Sequence, residues 1–146
     1  MAAFQPRVCY DDCPAAVDWL ARAFGFKPTM VARRDGQVVA AEMSFGDGRL
    51  TIGGAWENIK PPASVAGANT QTIHVSVDSD VDAHCERARA AGAKIVQEPA
   101  DMFHGERTYR ALDPQGHMWI FGQTLRAVTD EEMEAALPGM TISRPA

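Results

Sequence analysis

The sequence predicts an α+β fold made of two copies of one βαβββ unit. Three observations carry that prediction: an internal repeat, helix-capping residues at matching places in both copies, and strand-and-turn patterning after each helix. The segment from Arg7 to Lys27 lies without a gap over the segment from His74 to Lys94, a shift of 67 residues that takes Gly25 onto Gly92. Val8 then meets Val75, Asp11 meets Asp78, Ala16 meets Ala83 and Lys27 meets Lys94. Two alanine-rich helices can match by chance, but not together with the strand before them and the glycine after.

Each copy opens on a short alternating strand, Val8 and Tyr10 in the first, Ile73, Val75 and Val77 in the second. Acidic residues follow, Asp11-Asp12 and Asp78-Ser79-Asp80. Their oxygens suit a helix N-terminus, where backbone amides lack partners, and Pro14 suits a first helical turn. Val17, Leu20 and Phe24, and then Val81, Ala88 and Ala91, recur at helical steps. Gly25 and Gly92 stand where a helix end favours a left-handed residue.

Three strands are expected after each helix, over 28–33, 38–45 and 49–54, and over 94–99, 106–112 and 117–123. Asp35-Gly36, Gly46-Asp47-Gly48 and Asp113-Pro114-Gln115-Gly116 supply the turns. Aligning Gly48 with Gly116 needs a shift of 68, one residue more than the helices need. Residues 1–146 therefore read as a single domain: a first module over about 4–55, a Pro- and Gly-containing linker over 56–70 and a second module over about 71–124. Thr129 and Glu132 have capping-box spacing for a C-terminal helix over 129–137, which Pro138 and Gly139 end. The final TISRPA is expected to be mobile or to rest on a partner subunit.

A net charge of −5 and a pI near 5.3 argue against nucleic acid or an anionic membrane surface as partner. No apolar run reaches membrane-spanning length and the N-terminus lacks a signal-peptide core, so a cytoplasmic location is expected. Cys9, Cys13 and Cys85 form no CxxC pair and read as free thiols of a reducing compartment.

The stretches AVDWLARAFGF (16–26), VDSDVDAHCERARAAGAKIVQEP (77–99) and GERTYRALDPQGHMWIFG (105–122) resemble the vicinal oxygen chelate superfamily, also called the glyoxalase/bleomycin resistance/dioxygenase superfamily. The resemblance is strongest to its PhnB-like and bleomycin-resistance-like branch, to which VTDEEMEAAL (128–137) is also similar. It implies that the two modules form a curved eight-stranded mixed sheet, with helices on the convex side and a ligand site on the concave side. It also implies a homodimer. Enzymes of this superfamily hold a divalent metal on the first and last strands of the modules. The matching positions are Arg7, Ile52, His74 and Ile120. Only His74 among them can donate an electron pair to an ion, so neither metal nor other cofactor is expected.

Strand alternation extends this set. With His74 pointing in, Ser76 does too, and the repeat places Arg7 and Cys9 inward beside them. Leu50, Ile52, Met118 and Ile120 are expected as apolar walls, a lining typical of small-molecule sites. Arg7 and His74 together suit an anionic or polar ligand group. Simpler roles exist for both: an Arg7–Glu42 ion pair, and a hydrogen-bonded core histidine. His117 should point to the opposite face, His104 towards the rim, and helical His84 to the sheet or solvent. Glu106 and Arg107 read as a surface charge pair. Trp19, Trp119 and Phe121 read as core, and Trp56 as half-exposed in the linker.

The function these features support is a metal-free protein that binds or sequesters a small molecule in the concave cleft. The alternatives are a metal-dependent lyase, isomerase or dioxygenase with relocated ligands, and a regulatory module with a vestigial cup. His74 as a general base would need a carboxylate partner, and none is evident from spacing.

Overall fold

A computed structural model describes residues 3–146. Both modules have the predicted order. The first comprises β1 (Arg7–Cys9), α1 (Cys13–Phe24), β2 (Lys27–Arg34), β3 (Gln37–Phe45) and β4 (Gly48–Gly53). The second comprises β5 (Ile73–Ser76), α2 (Val81–Ala90), β6 (Lys94–Asp101), β7 (Glu106–Leu112) and β8 (Met118–Thr124). α3 (Asp130–Ala136) follows. The eight strands fall into two four-stranded mixed sheets of identical topology, β1-β4-β3-β2 and β5-β8-β7-β6. In each, the first strand runs parallel to the fourth and the other pairs are antiparallel.

The local signals act as chemistry requires. Asp12 and Asp80 accept hydrogen bonds from the amides of Ala15 and Ala83, at 3.0 Å each, and so cap α1 and α2. Gly25 ends α1 at a φ of 81°, and Gly92 follows α2 at 95°. Asp35 and Gly36 both have positive φ, the backbone a two-residue hairpin needs between β2 and β3. Thr129 and Glu132 close the capping box of α3.

Both helices pack on the same side of their sheets and against one another, so one core serves both modules. Phe24 of α1 is fully buried against β8, with ring centroids 4.6 Å from Phe121 and 5.6 Å from Trp119. Polar side chains tie the modules together where they meet. The Trp19 indole donates to the Ala91 carbonyl at 2.8 Å. From α2, Arg87 donates to the carbonyls of Ala21 and Arg22, and His84 to that of Phe24. These are carbonyls at the end of α1, where cationic donors are favoured.

A second tie is buried Asp113, in the turn after β7. One of its oxygens accepts from the Tyr10 hydroxyl at 2.6 Å and the Trp119 indole at 3.0 Å. The other accepts from the amides of Gln115 and His117. His117 itself donates to the Cys9 carbonyl at 2.6 Å. The linker carries a short 3-10 turn at Pro62–Val65 and a bridge between half-exposed Trp56 and Ile59. α3 packs against no other described element and buries no residue. The final residues fold back on it: Arg144 pairs with Asp130, and the Ile142 amide donates to Glu134. No helix among the described residues is long and apolar enough to cross a membrane.

Candidate functional site on the open faces of the two sheets

Strand register decides which side chains reach the open face of each sheet, away from the helices. In the second module His74 lies beside Ile120 and Ser76 beside Gly122, while Ile73 and Val75 lie beside core residues Trp119 and Phe121. β7 continues both faces: Tyr109 and Ala111 are buried in the core, and Glu106, Thr108 and Arg110 take the open side. His74, Ser76, Met118 and Ile120 thus share the open face as the sequence led us to expect.

In the first module Arg7 pairs with Thr51, Val8 with Ile52 and Cys9 with Gly53. Leu50 and Ile52, expected as walls of the open face, lie instead on the core face, 3% and 0% exposed, opposite Met43 and Ala41. The reason is a turn. β3 and β4 close over Gly46-Asp47, whereas β7 and β8 close over a turn one residue longer. The true equivalence is therefore Thr51 with Ile120, a shift of 69, and a one-residue slip turns every side chain to the other face. The last-strand position that the resemblance matches to a metal ligand in the first module is accordingly Thr51, a neutral hydroxyl, and not Ile52.

Two polar groups occupy equivalent places. The Arg7 guanidinium lies across Gly53, leaving no room there for a Cβ, and donates to the Gly54 carbonyl at 2.9 Å. It forms no ion pair with Glu42. His74 lies likewise over Gly122, where a Cβ would stand 2.8 Å from the imidazole Nε2.

What stands beside it is a residue that in the sequence reads as half of a surface charge pair. Glu106 places Oε2 3.3 Å from His74 Nε2 and 3.9 Å from His104 Nδ1, its side chain 21% exposed. Arg107, its neighbour in the chain, points the other way and pairs with Asp82 and Asp101. Alternation from Tyr109 and Ala111 would have revealed this placement, because it puts even-numbered residues of β7 on the face of His74. A carboxylate beside two imidazoles can accept a proton or hydrogen bonds from a bound molecule. Among the described residues, no three His, Cys, Asp or Glu side chains converge in metal-holding geometry.

Other expected members are placed less openly. Cys9 is buried, its sulfur 3.8 Å from the carbonyl of Ile59 in the linker, and burial pushes its thiol up despite nearby Arg7. Burial likewise raises Cys13, and raises Cys85 to about 11. None of the three is poised as a thiolate nucleophile. His117 is held on the Cys9 carbonyl, and His84 between Phe24 and Tyr109; neither approaches His74's cluster. A cleft of about 1030 Å³ runs along the free edge of β5, between His74 and Ser76 on one side and Phe26, Phe45, Arg49 and Leu50 on the other. Neither Arg7 nor Glu106 lines it. The open face and the cleft meet at His74 and Ser76.

Paired βαβββ modules, each sheet with one face under the helices and one face open, define a class of small α+β scaffold. The chain belongs to the Glyoxalase/Bleomycin resistance protein/Dioxygenase superfamily, whose model matches residues 4–121. The crystal structure of TioX from Micromonospora sp. ML1 is 34% identical, covers 88% of this chain and all of its own, and superposes with a TM-score of 0.68. An uncharacterised protein of Mycobacterium bovis is 31% identical over 141 residues, 92% of this chain and 91% of its own. TnmS3, an antibiotic binding protein from Streptomyces sp. CB03234, shares the fold at 20% identity and a TM-score of 0.65, over 85% of this chain and 98% of its own.

Proposed function

We propose that this chain binds or sequesters a small molecule without a metal, as a homodimer of the PhnB-like branch in the cytoplasm. The observation that carries the reading is the donor set at the first- and last-strand positions of the open faces: Arg7, Thr51, His74 and Ile120. Arginine does not release its proton to become a ligand, isoleucine has no lone pair, and a threonine hydroxyl is a weak donor. One imidazole does not make a divalent site. The open face of the second sheet offers a ligand what a binding site needs: half-exposed Met118 and Ile120 beside Ser76 and His74. The antibiotic-binding activity of TnmS3 is in keeping with this use of the fold.

A thermal-shift and native mass spectrometry screen of aromatic, anionic and cationic small molecules tests the proposal. A stabilising ligand should emerge whose binding weakens at least about ten-fold in His74→Ala and Ile120→Arg, a loss on the order of 1.4 kcal/mol. A library without a single binder, or a ligand indifferent to both variants, overturns it.

A second reading, a metal-dependent lyase, isomerase or dioxygenase with relocated ligands, would need Glu106, His74 and His104 to draw closer than they stand, since they do not converge in metal-holding geometry. Elemental analysis of untagged protein separates the two. Stoichiometric zinc, nickel, manganese or iron that disappears in His74→Ala replaces the binding reading with the enzymatic one.

A further inference from the structure

We infer that Glu106, flanked by His74 and His104, is an acceptor site for the cationic group of an amine- or amidine-bearing ligand. This rests on the binding reading above and specifies the ligand's chemistry. The argument begins with charge. Glu106 is mostly withdrawn from solvent, yet no Lys or Arg among the described residues pairs with it. A carboxylate in that position has given up hydration without a matching cation, and its nearest polar neighbours are two imidazoles. A ligand cation would supply the missing partner, through the strongest class of hydrogen bond available to the site.

The cluster is also rigidly built. Gly105, at a φ of 94°, is crossed so closely by the Arg126 carbonyl that a Cβ there has no space. Its own carbonyl accepts from the amides of Leu125, at 2.9 Å, and Arg126, at 3.3 Å. The Met102 amide donates to the Glu106 carbonyl at 2.7 Å, closing the turn that carries His104. Beneath, Gly122 lets both side chains close over the sheet: a Cβ there would stand 2.8 Å from His74 and 3.0 Å from Glu106. A glycine inside a strand weakens it and marks a place where another group must come close. Gly122, inside β8, meets that description under His74 and Glu106, while Gly105, in the turn before β7, yields its space to the Arg126 carbonyl. At the rim, Phe103 stands edge-on to His104 with centroids 5.3 Å apart and is 41% exposed, an apolar surface for a ring carrying the cation.

Three matched compounds test this by calorimetry at pH 8: 2-naphthylmethylamine, its N-acetyl derivative and 2-naphthylacetate. The amine should bind at least about ten-fold more tightly than the other two. That advantage should vanish in the near-isosteric Glu106→Gln, with the melting temperature unchanged. Ring-proton NMR signals of His74 and His104 should shift on amine titration of the wild type, a readout that does not depend on the variant folding. Equal affinities for all three compounds overturn the amine assignment and leave the binding site standing. An amine preference that survives Glu106→Gln also overturns it, since the cation then sits elsewhere. If none of the three binds, the assignment falls, while the broader screen alone decides whether the protein binds small molecules.

Discussion

Asp113 concentrates four hydrogen bonds on one buried carboxylate, and two of the donors, Tyr10 and Trp119, come from different modules. Asp113→Ala leaves the two fully buried donors, Tyr10 and Trp119, without an acceptor, at about 1–3 kcal/mol each, while the partly exposed Gln115 and His117 amides can turn to water. Urea denaturation should therefore show a loss of roughly 3–5 kcal/mol, and Asp113→Asn a smaller one because its amide oxygen still serves part of the set. His84 predicts a pH dependence. Its Nε2 donates to the Phe24 carbonyl, so Nδ1 accepts the Tyr109 hydroxyl at 2.6 Å, an arrangement only the neutral ring allows. Burial is the chief cause that lowers its pKa, and the nearby Arg87 charge adds to the effect, against the opposing Phe24 hydrogen bond. A base with a folded pKa below its unfolded value is protonated first in the unfolded chain. Its contribution to stability is complete above about pH 6.5 and is lost as the pH falls below it. The slope of stability between about pH 7 and pH 5 should be shallower in His84→Gln than in the wild type.

At the scale of elements, the glycines under Arg7 and His74 make the prediction. Gly122→Ala should push the His74 imidazole and Glu106 apart and weaken ligand binding by about ten-fold or more, at a cost in stability of roughly 1–2 kcal/mol. Gly36→Ala, where nothing lies near, should leave binding untouched and only strain its turn. Binding isotherms on the two variants check the contrast. The same strands explain what could be read without coordinates. Caps, helices and the first strands share one shift, so Arg7, His74, Ser76 and their neighbours were legible. β4 was not, because a glycine pair looked like a common anchor while the extra residue sat within the turn. Ile52 and Leu50 were thereby assigned to the wrong side of the sheet, and Thr51 was overlooked. Glu106 was hidden for another reason: adjacent opposite charges suggest a pair, although neighbours in a strand point apart.

For the molecule as a whole, the shared core predicts that neither module unfolds by itself. Phe24→Ala removes a ring lodged between modules and should cost about 3–5 kcal/mol. Tryptophan fluorescence and far-UV circular dichroism should nevertheless trace one coincident transition in both proteins. Two separated transitions would mean that the interface between modules is not part of the cooperative unit.

The C-terminal arm has a consequence of its own. It touches neither module through its helix, yet its root at Leu125 and Arg126 is fastened to the carbonyl of Gly105, between His104 and Glu106 in the chain. Whatever grips or tugs that tether is therefore felt first at the acidic corner of the second sheet. Shortening the chain after Ala127 keeps the knot, and shortening it before Leu125 unties it, so the two truncations tell whether the tail is baggage or a leash.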